Sequence, residues 1–218
     1  MNKIVLSLAV IGLALTSCSD GTQVEASDAA NVNLIENAKT ITYGNVDESS
    51  KLDWGASHLG GAAPRFGIIS LKSAEFLVND NLLTNANVEI DMSTLRVDNF
   101  VEDTASQNQL TGHLVSADFF DVPNHPTSSF ELTGIESIEG DFNSTLTGNL
   151  TIMNISKSIS FKANVDVSDN EVSMKSEKFI LDRTDWELVY NIEGSEGVPI
   201  DYIISNDLEF TIDVTVSK

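Results

Sequence analysis

Apolar and polar residues alternate with a period of two along most of the chain beyond residue 39. Leu52, Trp54 and Ala56 alternate with Lys51, Asp53 and Gly55, and Val88, Ile90 and Met92 with Glu89, Asp91 and Ser93. Leu146, Gly148, Leu150 and Ile152 alternate with Thr145, Thr147, Asn149 and Thr151. Ile159, Phe161, Ala163, Val165 and Val167 alternate with Ser160, Lys162, Asn164 and Asp166, and Leu208, Phe210, Ile212, Val214 and Val216 with Glu209, Thr211, Asp213 and Thr215. Successive side chains of a strand point to opposite faces, so each run has one apolar and one wetted face. This is the pattern of antiparallel strands over one core; strands covered on both faces would be apolar throughout. Weaker alternation predicts strands near 40–47, 65–71, 74–79, 128–135 and 172–182, with a bulge between Met174 and Phe179 where the period slips. Residues 104–120 lose the period, and Leu110, Leu114 and Val115 suit a short helix in a long connection running toward Phe119. Eight to ten strands with no helices between them predict an all-β barrel or sandwich, which alternation does not separate.

The N-terminus reads differently. Lys3 precedes an apolar run, Ile4 to Leu15, broken only by Ser7 and Gly12. The run is shorter than the ~20 residues of a spanning helix and suits the apolar region of a secretory signal. Leu15-Thr16-Ser17-Cys18 resembles the bacterial lipobox, which implies cleavage before Cys18 and acylation of that cysteine. It is the only cysteine, so there is no internal disulfide and no multi-cysteine metal site. The expected organisation is a signal peptide over 1–17, a lipidated flexible tether over 18–38 and one β-domain over 39–218. The tether is small, polar and acidic, with Val32, Leu34 and Ile35 its only apolar cluster; a short helix over Val32 to Ala38 is the alternative. As a random coil it would average about 25 Å end to end.

The formal net charge is −21, and 41% of residues are hydrophobic. So much negative charge argues against nucleic-acid binding and against docking on anionic headgroups through a basic patch. The hydrophobic fraction is too high for a disordered acidic tail. Residues 1–17 carry one lysine and no acid, so their removal makes the remainder one charge more negative. Membrane attachment is therefore expected through Cys18 at a bacterial envelope, on the outer membrane or a periplasmic face.

Catalytic signatures are scarce. Gly55-Ala56-Ser57-His58 misses the spacing of a nucleophile elbow, and neither a dinucleotide nor a phosphate-loop fingerprint occurs. A metal site would need His58, His113 and His125 to converge with Asp118 or Asp121; local hydrogen bonding is the simpler expectation, and no metal or cofactor is predicted. Arg183 between Asp182 and Asp185 reads as an ion-paired strand end. Asp118 and Asp121 are expected to cap and brace the short helix and the turn after it. Aromatic residues spread over most strands either pack a core or line an apolar hollow, since a closed sheet of about eight strands can hold one small ligand.

Several segments, in order, resemble the YceI-like family. Gly112-His113-Leu114-Val115-Ser116-Ala117-Asp118-Phe119-Phe120-Asp121-Val122 looks like its HL-x-S-x-DFFDV signature, followed by Pro126 and Phe130. Ala86 to Leu95, Leu146 to Phe161, and Phe179 to Trp186 are similar to three further segments of that family. Asn154, Ile155, Ser158 and Trp186-Glu187 depart from its pattern; the last departure loses a glycine and changes a turn or the cavity mouth. The resemblance implies an antiparallel, lipocalin-like β-barrel of about eight strands with one short helical connection. It also implies non-catalytic binding of a polyisoprenoid, an isoprenoid quinone or a similar long amphiphile. Combined with the alternation, it makes Trp54, Ile90, Met92, Leu150, Ile152, Phe161, Val165, Phe210 and Ile212 the expected cavity lining. Phe119, Phe120 and Trp186 are expected at the mouth or as a plug. The alternative is an interaction module with a filled barrel and an acidic binding face.

Overall fold

A computed structural model of the chain describes residues 20–32 and 40–218. Short strands β1 (Thr22–Gln23), β2 (Ser27–Asp28), β3 (Ile41–Tyr43) and β4 (Asn45–Val46) come first. They are followed by β5 (Lys51–His58), β6 (Ala62–Asn79), β7 (Leu82–Asp91), β8 (Arg96–Val97) and the helix α1 (Thr104–Leu114). Then come β9 (Thr127–Ser137), β10 (Ser144–Ile152), β11 (Ile155–Val167), β12 (Glu171–Ser176), β13 (Phe179–Asp182) and β14 (Asp207–Ser217). Among the described residues no helix is long and apolar enough to cross a membrane.

Eight strands close a ring in the order β14, β5, β6, β7, β9, β10, β11, β12 and back to β14, every pair antiparallel. This is the antiparallel barrel expected from the sequence. Its registers carry the alternation inward as apolar rungs: Ile212 faces Leu52, which faces Ile69; Leu150 faces Phe130, which faces Val88. The barrel has a filled end. There Tyr43, Phe76, Leu146, Val172 and Val216 are almost wholly buried, and Tyr43 Oη donates 2.8 Å to the Ser168 carbonyl.

Two glycines allow close approaches that any side chain would block. At Gly67 a Cβ would stand 1.8 Å from the Arg96 carbonyl oxygen, where β8 lies against β6. At Gly148 a Cβ would stand 2.3 Å from Phe130 Cζ. Gly148 sits beside the register shift between β9 and β10. Its missing side chain lets the Phe130 ring reach across β10 toward Phe161, with centroids 5.6 Å apart.

Several details differ from expectation. The strands expected at 65–71 and 74–79 are one strand, β6, with a bulge between Leu71 and Ser73 against β7. The polar run Lys72-Ser73 hid this continuity. The strand expected over 172–182 is interrupted at Glu177 and Lys178, inside the predicted bulge. The helix ends at Leu114, and residues 115–126 continue as turns. Its N-cap is Asp103, which accepts from Ser106 N at 3.1 Å, not Asp118 or Asp121. Asp121 instead accepts from Asn124 Nδ2 and braces the next turn.

The flexible-tether reading of residues 18–38 is corrected over the part described. β1 pairs in parallel with β13, and β2 pairs antiparallel with β11. β11 pairs with β12 but not with β13, so a seam opens beyond the β12–β13 break, and residues 22–28 fill it. Unpaired strand edges offer backbone groups that need partners, and small polar residues can supply them without an apolar signature. Val24 is buried there and its N–H donates 2.8 Å to Ile180 O. Asp20 pairs with Lys178 at 2.7 Å, and the Asn149 amide exchanges two hydrogen bonds with the Ala30 backbone. Cys18 and most of the alternative helix over Val32 to Ala38 lie outside the described residues.

Candidate functional site

The lumen above the filled end holds two adjoining chambers. The inner one, about 60 Å³, is lined almost entirely by apolar side chains. The outer one, about 250 Å³, is lined by apolar, aromatic and polar groups. Chain order along β14 marks the depth: Leu208 lines the outer chamber, Phe210 both, Ile212 and Val214 the inner, and Val216 is buried beyond them. Ile69, Phe120 and Phe210 border both chambers and form the passage between them.

One side of the inner chamber is an aromatic band. Phe161 and Phe179 stack with centroids 4.7 Å apart and planes 9° from parallel. Phe130 and Phe210 extend the band at 5.6 and 5.9 Å. Met92 and Met174 also line this chamber, and their unbranched thioethers can change rotamer to fit an irregular guest.

The outer chamber lies under α1 and the long segment between β13 and β14. Arg183 holds that segment. It is 1% exposed, and its guanidinium donates to the carbonyls of Ser205, Ile204 and Leu188. Burial pushes its pKa down, with the Asp182 charge opposing; an arginine still stays charged, so the carbonyl shell must compensate it. This corrects the reading of Arg183 as an ion-paired strand end: the Asp182 carboxylate accepts its hydrogen bonds from Thr184, and the folded loop supplies the acceptors for Arg183. His113 lies edge-on to Phe119 and Tyr190, both 4.9 Å away, with Asp118 at 3.2 Å from Nε2. His58 Nδ1 meets the Asp201 carbonyl at 2.6 Å. His113 thus bonds within its own connection, whereas His58 meets a carbonyl of the distant β13–β14 segment; no group of three or more His, Cys, Asp or Glu that could hold a metal ion occurs among the described residues.

The structure gathers most expected lining residues. Ile90, Met92, Leu150, Ile152, Phe161 and Ile212 line the inner chamber. Trp54 and Phe119 line the outer one, and Phe120 and Phe210 line both. Two residues are placed elsewhere. Val165 is opposite Met174 and packs against the core without bordering either chamber. Trp186 is buried but borders neither chamber; its Nε1 donates 3.2 Å to Leu150 O and ties the turn after β13 to β10. The lining also includes Phe130, Ile159, Met174 and Phe179 on the inner side, and His58, Leu188, Tyr190 and Tyr202 on the outer. Phe130 and Ile159 sit within alternating runs and are findable by parity; Met174 and Phe179 bracket the slip of the period, and the outer residues at a strand end and in loops carry no such signal.

The sequence profile of the YceI-like domain matches residues 43–216. A UPF0312 protein of Pseudomonas putida is 30% identical over 116 residues, 51% of this chain and 54% of the relative. The match thus spans about half the length of the curated relatives. BcnA of Burkholderia cenocepacia superposes with a TM-score of 0.56 at 15% identity, covering 78% of this chain and 99% of that one. A polyisoprenoid binding domain from Saccharophagus degradans, implicated in plant cell wall breakdown, gives 0.56 at 12% identity, covering 81% and 99%. At these identities the likeness shows a shared fold.

Proposed function

Because this chain belongs to the YceI-like domain family, we propose that it binds a long-chain isoprenoid or similar amphiphilic lipid without catalysing a reaction on it. The observation that carries the reading is the graded lumen, with an apolar inner chamber opening through Phe120 into a wider, partly polar outer one. The polyisoprenoid binding described for the Saccharophagus domain agrees with it. The hydrocarbon tail enters inward and the head group stays among His58, His113, Tyr190 and Tyr202. Each buried methylene contributes about 0.8 kcal/mol, offset by association and ordering costs. A dry cavity of ~150 Å³ takes a benzene, so the inner chamber must widen as a tail enters, which Met92 and Met174 permit.

The protein works at a bacterial envelope, held there by acylation of Cys18. Two residues span at most about 7 Å, and Asp20 is fixed to Lys178. The acylated barrel is thus carried with its β13 wall close to the bilayer instead of on a long leash.

Mass spectrometry of organic extracts from the purified protein, with displacement of a fluorescent prenyl probe, tests the binding reading. The expected result is a co-purifying or competing long-chain lipid, and a probe affinity that falls at least tenfold in Ile152→Trp, whose indole fills the inner chamber. Absence of any such ligand and of probe binding refutes it.

A further inference from the structure

The rim of the outer chamber is both apolar and acidic. Phe66, Val101, Val189, Ile200 and Tyr202 are each at least half exposed. The contacts around the mouth join their segments into one ring. Arg65 lies 4.9 Å over Phe100, and Phe66 N donates to Asn99 Oδ1. His58 pairs with Ile204 and Asp201, Ile204 N donates to Asn191 O, and Tyr190 meets His113 and Phe119 below α1. Exposed apolar groups gathered at the mouth of a cavity, in a protein this charged, mark a contact surface.

Charge chooses the partner. The rim segments 97–126 and 184–206 contain ten carboxylates and no Lys or Arg. Glu102, Glu187, Glu193, Glu196 and Asp201 are exposed among the apolar positions. The nearby arginines are engaged: Arg65 with Phe100 and the Ala63 and Pro64 carbonyls, and Arg96 with Asp98 at 2.8 Å. A bilayer with anionic headgroups repels such a ring. A protein surface with Lys and Arg around an apolar centre complements it, matching apolar core to apolar core and opposite charges at the border.

We propose that the chamber mouth docks onto a second protein bearing a basic, apolar-centred surface, so that the opening is covered by a protein partner and not by a membrane. The inference rests on the lipid-binding reading only for what crosses the mouth; the docking surface stands on exposure and charge.

The test is site-specific photo-cross-linking of the full chain in its native cells. A photoreactive amino acid replaces Val101 or Ile200 at the rim, or, as a control, Leu82 in β7, which is 66% exposed beside the β6–β7 turn. The expected result is the same discrete protein adduct from both rim positions and none from Leu82. Mass spectrometry identifies the cross-linked peptide, which should flank Lys or Arg residues. Glu102→Gln with Asp201→Asn should lower the adduct yield at least tenfold, while Asp169→Asn in the β11–β12 turn with Glu171→Gln at the start of β12 should leave it within twofold. Adducts to lipid alone, no adduct, equal labelling at Leu82, or insensitivity to neutralising the rim each overturn the proposal. A rim adduct in a protein without extractable lipid leaves docking standing and removes the cargo reading; extractable lipid without a rim adduct does the reverse.

Discussion

Gly148→Ala should destabilise the barrel and shrink its inner chamber together, because one aromatic ring couples the two. The new Cβ would stand 2.3 Å from Phe130 Cζ and 2.6 Å from the Glu131 carbonyl oxygen. Carbon atoms in contact stay about 3.5–4.0 Å apart, so the ring must retreat by more than an ångström. Its open side is toward Phe161 and the inner chamber. The Glu131 carbonyl is backbone, opposite Asn149 in the β9–β10 ladder, and cannot move without parting the strands. Overpacking of this kind costs about 1–3 kcal/mol. Against it, alanine restricts the unfolded chain and recovers about 0.5–1 kcal/mol. The expected net loss is about 1 kcal/mol in urea unfolding, with prenyl-probe binding weakened as the ring enters the chamber. Phe130→Ala alone should cost about 3 kcal/mol, at the low end for a buried phenylalanine because the ring borders empty space. In the double variant the clash with the ring is gone, so the two costs should fall short of additivity by about 1–2 kcal/mol. Probe binding should recover beyond that of Gly148→Ala. A single variant as stable as the parent, or costs that add within about 0.5 kcal/mol, would refute the role assigned to Gly148.

Three further outcomes follow from other parts of the fold. Arg183→Met leaves the carbonyls of Ser205, Ile204 and Leu188 without their donor; at about 1–3 kcal/mol for a buried group left unpaired, a loss of about 3 kcal/mol is expected, with amide exchange accelerated first over residues 188–206. Val24→Asp places a carboxylate where the seam is closed; limited proteolysis should then cut residues 20–30 while the barrel core stays resistant, and coincident loss of both would contradict the view that this segment is a strap laid separately over the seam. The Ser106 hydroxyl and N–H hold the Asp103 carboxyl below its ordinary value of 3.8. Its folded pKa is depressed, so its contribution is present above the unfolded value and is lost as pH falls through the folded one. α1 should therefore fray on acidification below about pH 4, and Asp103→Asn, which still caps, should flatten that part of the stability profile.

Strand parity was legible from sequence because it depends only on the alternating pleat; height within the barrel was not. Phe161 and Val165 share one strand and one face, yet only Phe161 borders a chamber. The difference is set by how far β11 runs past its partners, which is a property of eight registers and not of one run. The strap escaped notice for a related reason: Thr22, Gln23, Ser27 and Asp28 pair through backbone, and backbone pairing leaves no apolar trace. Arg183 misled through its neighbours Asp182 and Asp185, since its carbonyl partners are assembled only when residues 188–206 fold back over it. The mouth groups His58, Tyr190 and Tyr202 come from strand ends and irregular segments with no period to read. Gly148 is the instructive case. It occupies an inward apolar position in an otherwise unbroken alternation, and a glycine inside a strand marks a bulge or a close approach. The close approach is made by Phe130, whose ring borders the inner chamber together with Phe161. The size of that chamber is thus governed partly by an absent side chain, which a reading based on the bulk of apolar residues cannot detect.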